Sequence, residues 1–136
     1  MNDAVPALEV LPMARPEIGA REQQLVAEVL ASGVLSLGPM LSRFEHDIAR
    51  WTGAPYASAV SSGTAGLHLA IRAEGISAGD EVVTSPLSFI ASANVMIYEN
   101  ATPVFADIDA VTRNIDPAKA RAAVSSRTVG LLPVHL

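Results

Sequence analysis

The chain has 136 residues, half of them hydrophobic and 17% charged, with a net charge of −5. That length fits one ordinary domain, the acidic balance without a basic cluster excludes nucleic acid as the main partner, and the absence of cysteine excludes disulfides, thiol nucleophiles and thiolate metal sites. No apolar run reaches the ~18–20 residues of a membrane span, so high apolarity here fits strands buried on both faces of a parallel sheet. The N-terminus lacks the basic start and apolar core of a signal peptide, and a reducing cytoplasm is the expected compartment.

Residues 1–15, broken by Pro6 and Pro12 and followed by Pro16, read as an extended arm. A helix is expected from Glu17 to about Ala31, with Ile18, Leu25, Val26, Val29 and Leu30 on one stripe and Gly33 as its C-terminal cap. The loop Ser36-Leu37-Gly38-Pro39 hands over to a second helix with Pro39 in its first turn. Met40, Phe44, Ile48 and Trp51 repeat there at helical spacing, with Trp51 as a core anchor and Arg43, Glu45, His46, Asp47 and Arg50 facing water. Gly53-Ala54-Pro55 stops it.

Tyr56 to Val60 is an apolar run expected to be a strand; Ser61-Ser62-Gly63-Thr64 then opens an almost wholly apolar helix. The first N–H groups of a helix have no partner inside it, and the aligned peptide dipoles place partial positive charge there. Small residues let an anion approach, so the turn is built like a phosphate cradle. Gly63 offers backbone freedom, and the Ser62 and Thr64 hydroxyls offer further donors. An ordinary β–α turn with a Ser or Thr cap reads the same way.

The second half alternates strand and helix: a strand over Asp80–Thr84, a helix over Ser88–Tyr98, a strand over Thr102–Ala106, a short helix from Asp116-Pro117 to Val124, and a strand over Thr128–Val134. Such alternation reads as an α/β fold of three layers around a mainly parallel sheet. A four-stranded sheet with one flank bare exposes its core, so the chain is expected to be the first part of a longer protein. Ligands of open α/β sheets bind beyond the carboxyl ends of the strands. Those ends offer the cradle, Phe89, Asp107 with Asp109, and His135, a set suited to a flat phosphorylated ring.

The blocks SSGTAGLHLA, GDEVVTSPLSFIASAN, ATPVFADID, Asn114-Ile115-Asp116-Pro117 and TVGLLPVHL resemble successive blocks of the DegT/DnrJ/EryC1/StrS aminotransferases. Upstream, Arg15-Pro16, Ser32-Gly33, Leu37-Gly38-Pro39 and Phe44-Glu45 follow the same family's spacing. The resemblance implies a fold-type-I enzyme dependent on pyridoxal 5'-phosphate, which aminates a keto group of a nucleotide-linked sugar with glutamate or glutamine as amino donor. It implies a homodimer with sites at the subunit boundary, and it makes residues 16–136 the N-terminal part of a truncated large domain. Gly63, Thr64 and Ala65 would hold the cofactor phosphate, Phe89 would stack on its ring, Ser88 and Ser92 would lie near it, and Leu37, Gly38 and Pro39 would border the substrate. His135 lies in a family block without an assigned role.

One departure matters for activity. Transamination needs a lysine that holds the cofactor covalently and shuttles the proton. The single lysine, Lys119, matches no such motif. The resemblance therefore implies no catalytic residue within these 136 residues, and an inactive isolated chain. A sugar dehydratase of the same superfamily, with histidine in place of that lysine, and a catalytically silent paralogue are the alternatives.

Several residues carry plainer readings beside these. Phe89 shares a helical stripe with Ala93, Met96 and Ile97 and so reads as core without the resemblance. Asp107 and Asp109 read as turn residues rather than as a metal or acid/base pair. His46 reads as solvated, and His68 as a satisfied buried imidazole rather than part of a triad with Ser62.

Overall fold

The computed structural model describes residue 12 and residues 14–136; most of the expected extended arm lies outside them. The chain divides into two compact units, Met1–Ala59 and Val60–Leu136.

In the first unit, α1 (Ala20–Ser32) starts three residues later than its apolar pattern suggests. The reason is Gly19, which takes the extended N-cap conformation and donates its N–H to Glu22 Oε2 at 2.6 Å, one half of a capping box. Gly33 closes the helix in the left-handed conformation. The second helix, α2 (Pro39–Thr52), opens on Gly38 and Pro39 and closes on Gly53, again left-handed. Its expected core stripe is corrected. Trp51 is 85% exposed, and Phe44 and Ile48 are also exposed, because among the described residues of this unit too little packs over that side of α2 to bury it. The turn of α2 toward the unit's interior carries Met40, Leu41, Glu45 and Ala49 instead, all half-buried. Glu45, expected in water, accepts the Ala59 N–H at 2.9 Å.

The second unit holds a three-stranded, wholly parallel sheet in the order β2-β1-β3, with β1 at Glu81–Thr84, β2 at Thr102–Phe105 and β3 at Thr128–Leu132. Every residue of β1 is buried. Successive side chains of a strand point to opposite faces, and the two central valines show it. Val82 packs with Met96 and Ala101 on one face, and Val83 with Ala106 and Ala120 on the other. Helix α4 (Ala91–Tyr98) thus covers one face and α5 (Pro117–Ala122) the other, giving the expected three layers. Helix α3 (Gly63–Ala73) packs against α4. Burying side chains the size of Val82, Val83, Val95 and Met96 contributes about 1.5–3 kcal/mol each.

Two expectations fail here. Tyr56–Val60 forms no strand among the described residues, because a strand exists only through a pairing partner and none is offered to it. The helix expected from Ser88 begins at Ala91: Ser85 Oγ first accepts the Leu87 N–H at 3.1 Å, and Ser88-Phe89-Ile90 make a turn. Asn100, left-handed at φ 60°, ends α4, and Ala101 N–H bonds back to the Met96 carbonyl at 2.9 Å. Asp116 caps α5 by accepting from the Ala118 and Lys119 N–H groups.

Met96 has no exposed surface and joins α4 to β1. Met96→Ala is expected to cost ~2–5 kcal/mol in urea unfolding; a loss under about 0.5 kcal/mol would place Met96 outside the structural core.

Candidate cofactor site

Helix α3 opens with Ser62 as its N-cap, whose Oγ accepts the Ala65 N–H at 3.1 Å. The Gly66 N–H reaches the Ser62 carbonyl at 3.0 Å. Among the described residues nothing accepts from the Gly63 or Thr64 N–H. Two amides at the positive end of the helix are therefore free to meet an anion. Ala65 is different: its amide is held by the cap, while the Ser62 hydroxyl keeps its own proton to donate.

Gly63 serves by its size rather than by its backbone. It is not in the left-handed region, so the expected need for glycine's conformational freedom is not met. A Cβ placed on it would meet no protein atom within 4 Å, so the space around the start of α3 is open at this residue. This open approach fits a phosphate group.

Around the start of α4 stand three of the candidate residues. Phe89 is 76% exposed, which overturns its reading as core: with α4 beginning at Ala91, Phe89 lies in the preceding turn, off the helical stripe. Its ring is available to a flat ligand. Ser92 is buried and Ser88 half-buried, and their hydroxyls share a 2.8 Å hydrogen bond. In the other unit, Leu37 stands exposed with a left-handed φ of 51°, a strained conformation for leucine. Gly38 beside it is required by packing, since a Cβ would lie 3.0 Å from the Val34 carbonyl oxygen.

The carboxylates beyond β2 are turn formers. Asp109 Oδ1 accepts the Val111 and Thr112 N–H groups, and those bonds, that of Thr112 foremost, lower its pKa. Asp107 accepts from Lys119 Nζ at 3.0 Å and from the Ile108 N–H, and the Lys119 bond is the main cause of its lowered pKa. The same contact raises the pKa of Lys119, so that amine is held as an ammonium. His135 is exposed beyond β3.

The sequence reading missed one cluster. Glu99 accepts from His68 Nε2 at 2.6 Å and from Arg72 at 3.3 Å, and Tyr98 meets the His68 ring edge-on. His68 and Arg72, four apart on α3, share a helix face, which is a legible signal. Their acceptor lies 27 and 31 residues away and carries none.

An α/β unit with α4 and α5 starting beyond strand ends, an open helix start at α3 and an exposed aromatic ahead of α4 is a frame suited to a phosphorylated cofactor. The chain belongs to the DegT/DnrJ/EryC1/StrS aminotransferase family, whose model matches residues 16–136, and its fold is that of the fold-type-I transferases. It is 54% identical over 125 residues to the spore coat polysaccharide biosynthesis protein SpsC of Bacillus subtilis (strain 168), which covers 92% of the chain and 32% of SpsC. The aminotransferase from Psychrobacter cryohalolentis superposes with a TM-score of 0.84 at 38% identity, over 92% of this chain and 32% of that one. Spr1654 of Streptococcus pneumoniae, in its PMP-form, superposes with a TM-score of 0.85 at 31% identity, over 91% and 31%; it is also known in a PLP-form. The chain thus spans about a third of the length of these relatives.

Ser62→Ala should destabilise the unit by ~0.5–2 kcal/mol in urea unfolding, and Ser62→Gly by only a few tenths. Equal losses for both would remove the side-chain cap as the cause.

Proposed function

We propose that these residues are the N-terminal part of the large domain of a sugar aminotransferase. The cofactor is pyridoxal 5'-phosphate, the acceptor a nucleotide-linked keto sugar, and the amino donor glutamate or glutamine. The full-length protein is read as a cytoplasmic homodimer; no helix among the described residues is long and apolar enough to cross a membrane. The similarity to SpsC supports sugars of a surface polysaccharide as the class of product.

The observation that carries this reading is the start of α3: two amides without a partner among the described residues, beside a Gly63 with open space around it. When bound, the cofactor supplies an electron sink for chemistry at an amine-bearing carbon. Gly63 and Thr64 amides, with the Thr64 hydroxyl, would fix its phosphate, and Phe89 would cover its ring and exclude water from that face. Ser88 and Ser92 would support the Phe89 turn through their shared hydrogen bond, and Leu37-Gly38-Pro39 would border the sugar.

The reactive amine is not supplied by Lys119. Its Nζ is engaged by Asp107 and by the Ile108 carbonyl at 3.4 Å, and the raised pKa keeps it protonated, whereas a nucleophilic amine must be neutral. The 136 residues by themselves are therefore read as inactive in transamination.

In a titration of this chain, pyridoxal phosphate should bind more tightly than pyridoxal, and Thr64→Ala should weaken only the former, by ~1–3 kcal/mol for a hydrogen bond to a charged group. Equal affinity for the two ligands would sink the phosphate cradle. Borohydride treatment of the loaded chain should leave Lys119 unlabelled; label on Lys119 together with turnover would overturn the inactive reading.

A further inference from the structure

Glu99 lies just past the C-terminus of α4, and its side chain is only 17% exposed. Removing a carboxylate this far from water is unfavourable unless donors replace the lost hydration. Two do so, both from α3: His68 at 2.6 Å and Arg72 at 3.3 Å. An ionised carboxylate only accepts hydrogen bonds, so His68 Nε2 must be the donor. The Tyr98 ring packs edge-on against the imidazole, with ring centroids 5.2 Å apart, and limits its rotation. The cluster is therefore a tie between two helices, made at a carboxylate that only His68 and Arg72 share among the described residues.

On the function proposed above, these two helices both open at the cofactor site. Gly63 and Thr64 begin α3, and Phe89 and Ser92 stand at the start of α4. His68 lies five residues into α3, about 7.5 Å of helical rise from Gly63. Little soft structure intervenes, because a short helix moves largely as one body and the two helices are packed together. We propose that Glu99 is a positioning residue for the cofactor cradle, tying α4 to α3 through His68 and Arg72 so that the two helix starts keep a fixed spacing. This rests on reading the start of α3 as a phosphate cradle.

The tie depends on the charge of Glu99. The His68 hydrogen bond, followed by the charge of Arg72, holds its carboxyl below the ordinary value of 4.5. A lowered carboxyl pKa contributes stability that is present above the unfolded value and lost as pH falls through the folded one. The ionisable groups around it are His68 and Arg72 from α3 and Tyr98 from α4. β2 carries no ionisable residue, and Glu81 of β1 is taken by Ser125 and Arg127.

The test uses ¹⁵N-labelled chain. In the unaltered protein the Gly63, Thr64 and Ala65 amide signals should follow an acid titration centred below the usual glutamate range. Glu99→Gln should abolish that titration, while Glu81→Gln, which breaks the other buried carboxylate cluster, should leave it intact. Arg72→Gln, removing one arm only, should reduce its amplitude and serves if Glu99→Gln does not fold. Inorganic phosphate, titrated at pH 7 in the same spectra, should bind about fivefold or more weakly to Glu99→Gln, the lower end of ordinary coupling between sites. An acid titration that persists in Glu99→Gln, that Arg72→Gln leaves untouched, or that is absent from the unaltered chain overturns the proposal, as does equal phosphate affinity in the two proteins. If the unaltered chain binds no phosphate, the cradle reading fails, and the positioning role that depends on it fails with it. An amide titration seen in the unaltered chain and lost in Glu99→Gln would then show the helix tie alone.

Discussion

Everything in the second unit follows from the burial of β1 on both faces. Val82 and Val83 point in opposite directions and each needs an apolar cover, so a helix must lie on either side. Parallel neighbours on both edges of β1 then require each connection to cross back over the sheet. Such crossovers start α4 and α5 beyond the carboxyl ends of β1 and β2, which is where polar ends gather. Helix α3, which no strand precedes among the described residues, joins them by packing against α4.

Polar groups in this unit are used in two ways. Some complete the frame. Thr84, fully buried, donates its hydroxyl to the Leu132 carbonyl at 2.8 Å and so fastens β3 to β1. Glu81, also buried, answers to Ser125 and Arg127 at the other end of the same strand. Asp116 closes α5, and Asp107 and Asp109 shape the turn before it. Others are left open. Among the described residues the Gly63 and Thr64 amides have no partner and Phe89 is exposed, as the first amides of a helix are left unless a cap, water or ligand meets them.

The family membership and the local geometry bear on different questions. Membership gives the fold and the class of chemistry. The geometry says which of the candidate residues are free to act. It takes Ala65's amide largely out of use, because Ser62 already holds it, and it frees Phe89 from the core. It also shows Lys119 paired with Asp107 rather than unengaged. None of these distinctions could be made from residue type.

Periodicity and punctuation in the sequence determined most helices and their caps, because those signals act within four residues. Gly33 and Gly53 end helices, Ser62 and Asp116 begin them, and the apolar run of β1 has the length of a buried strand. The start of α3 too was legible, since a small-residue turn before an apolar helix is local chemistry. What tertiary structure alone decided depends on distant partners. Tyr56–Val60 has strand composition but no neighbour to pair with, and Trp51 has core character but nothing over it. Glu99 carries no local signal of its role until α3 brings His68 and Arg72 to it. Pairing and burial belong to the folded arrangement of segments, and a single stretch of sequence does not contain its own partner.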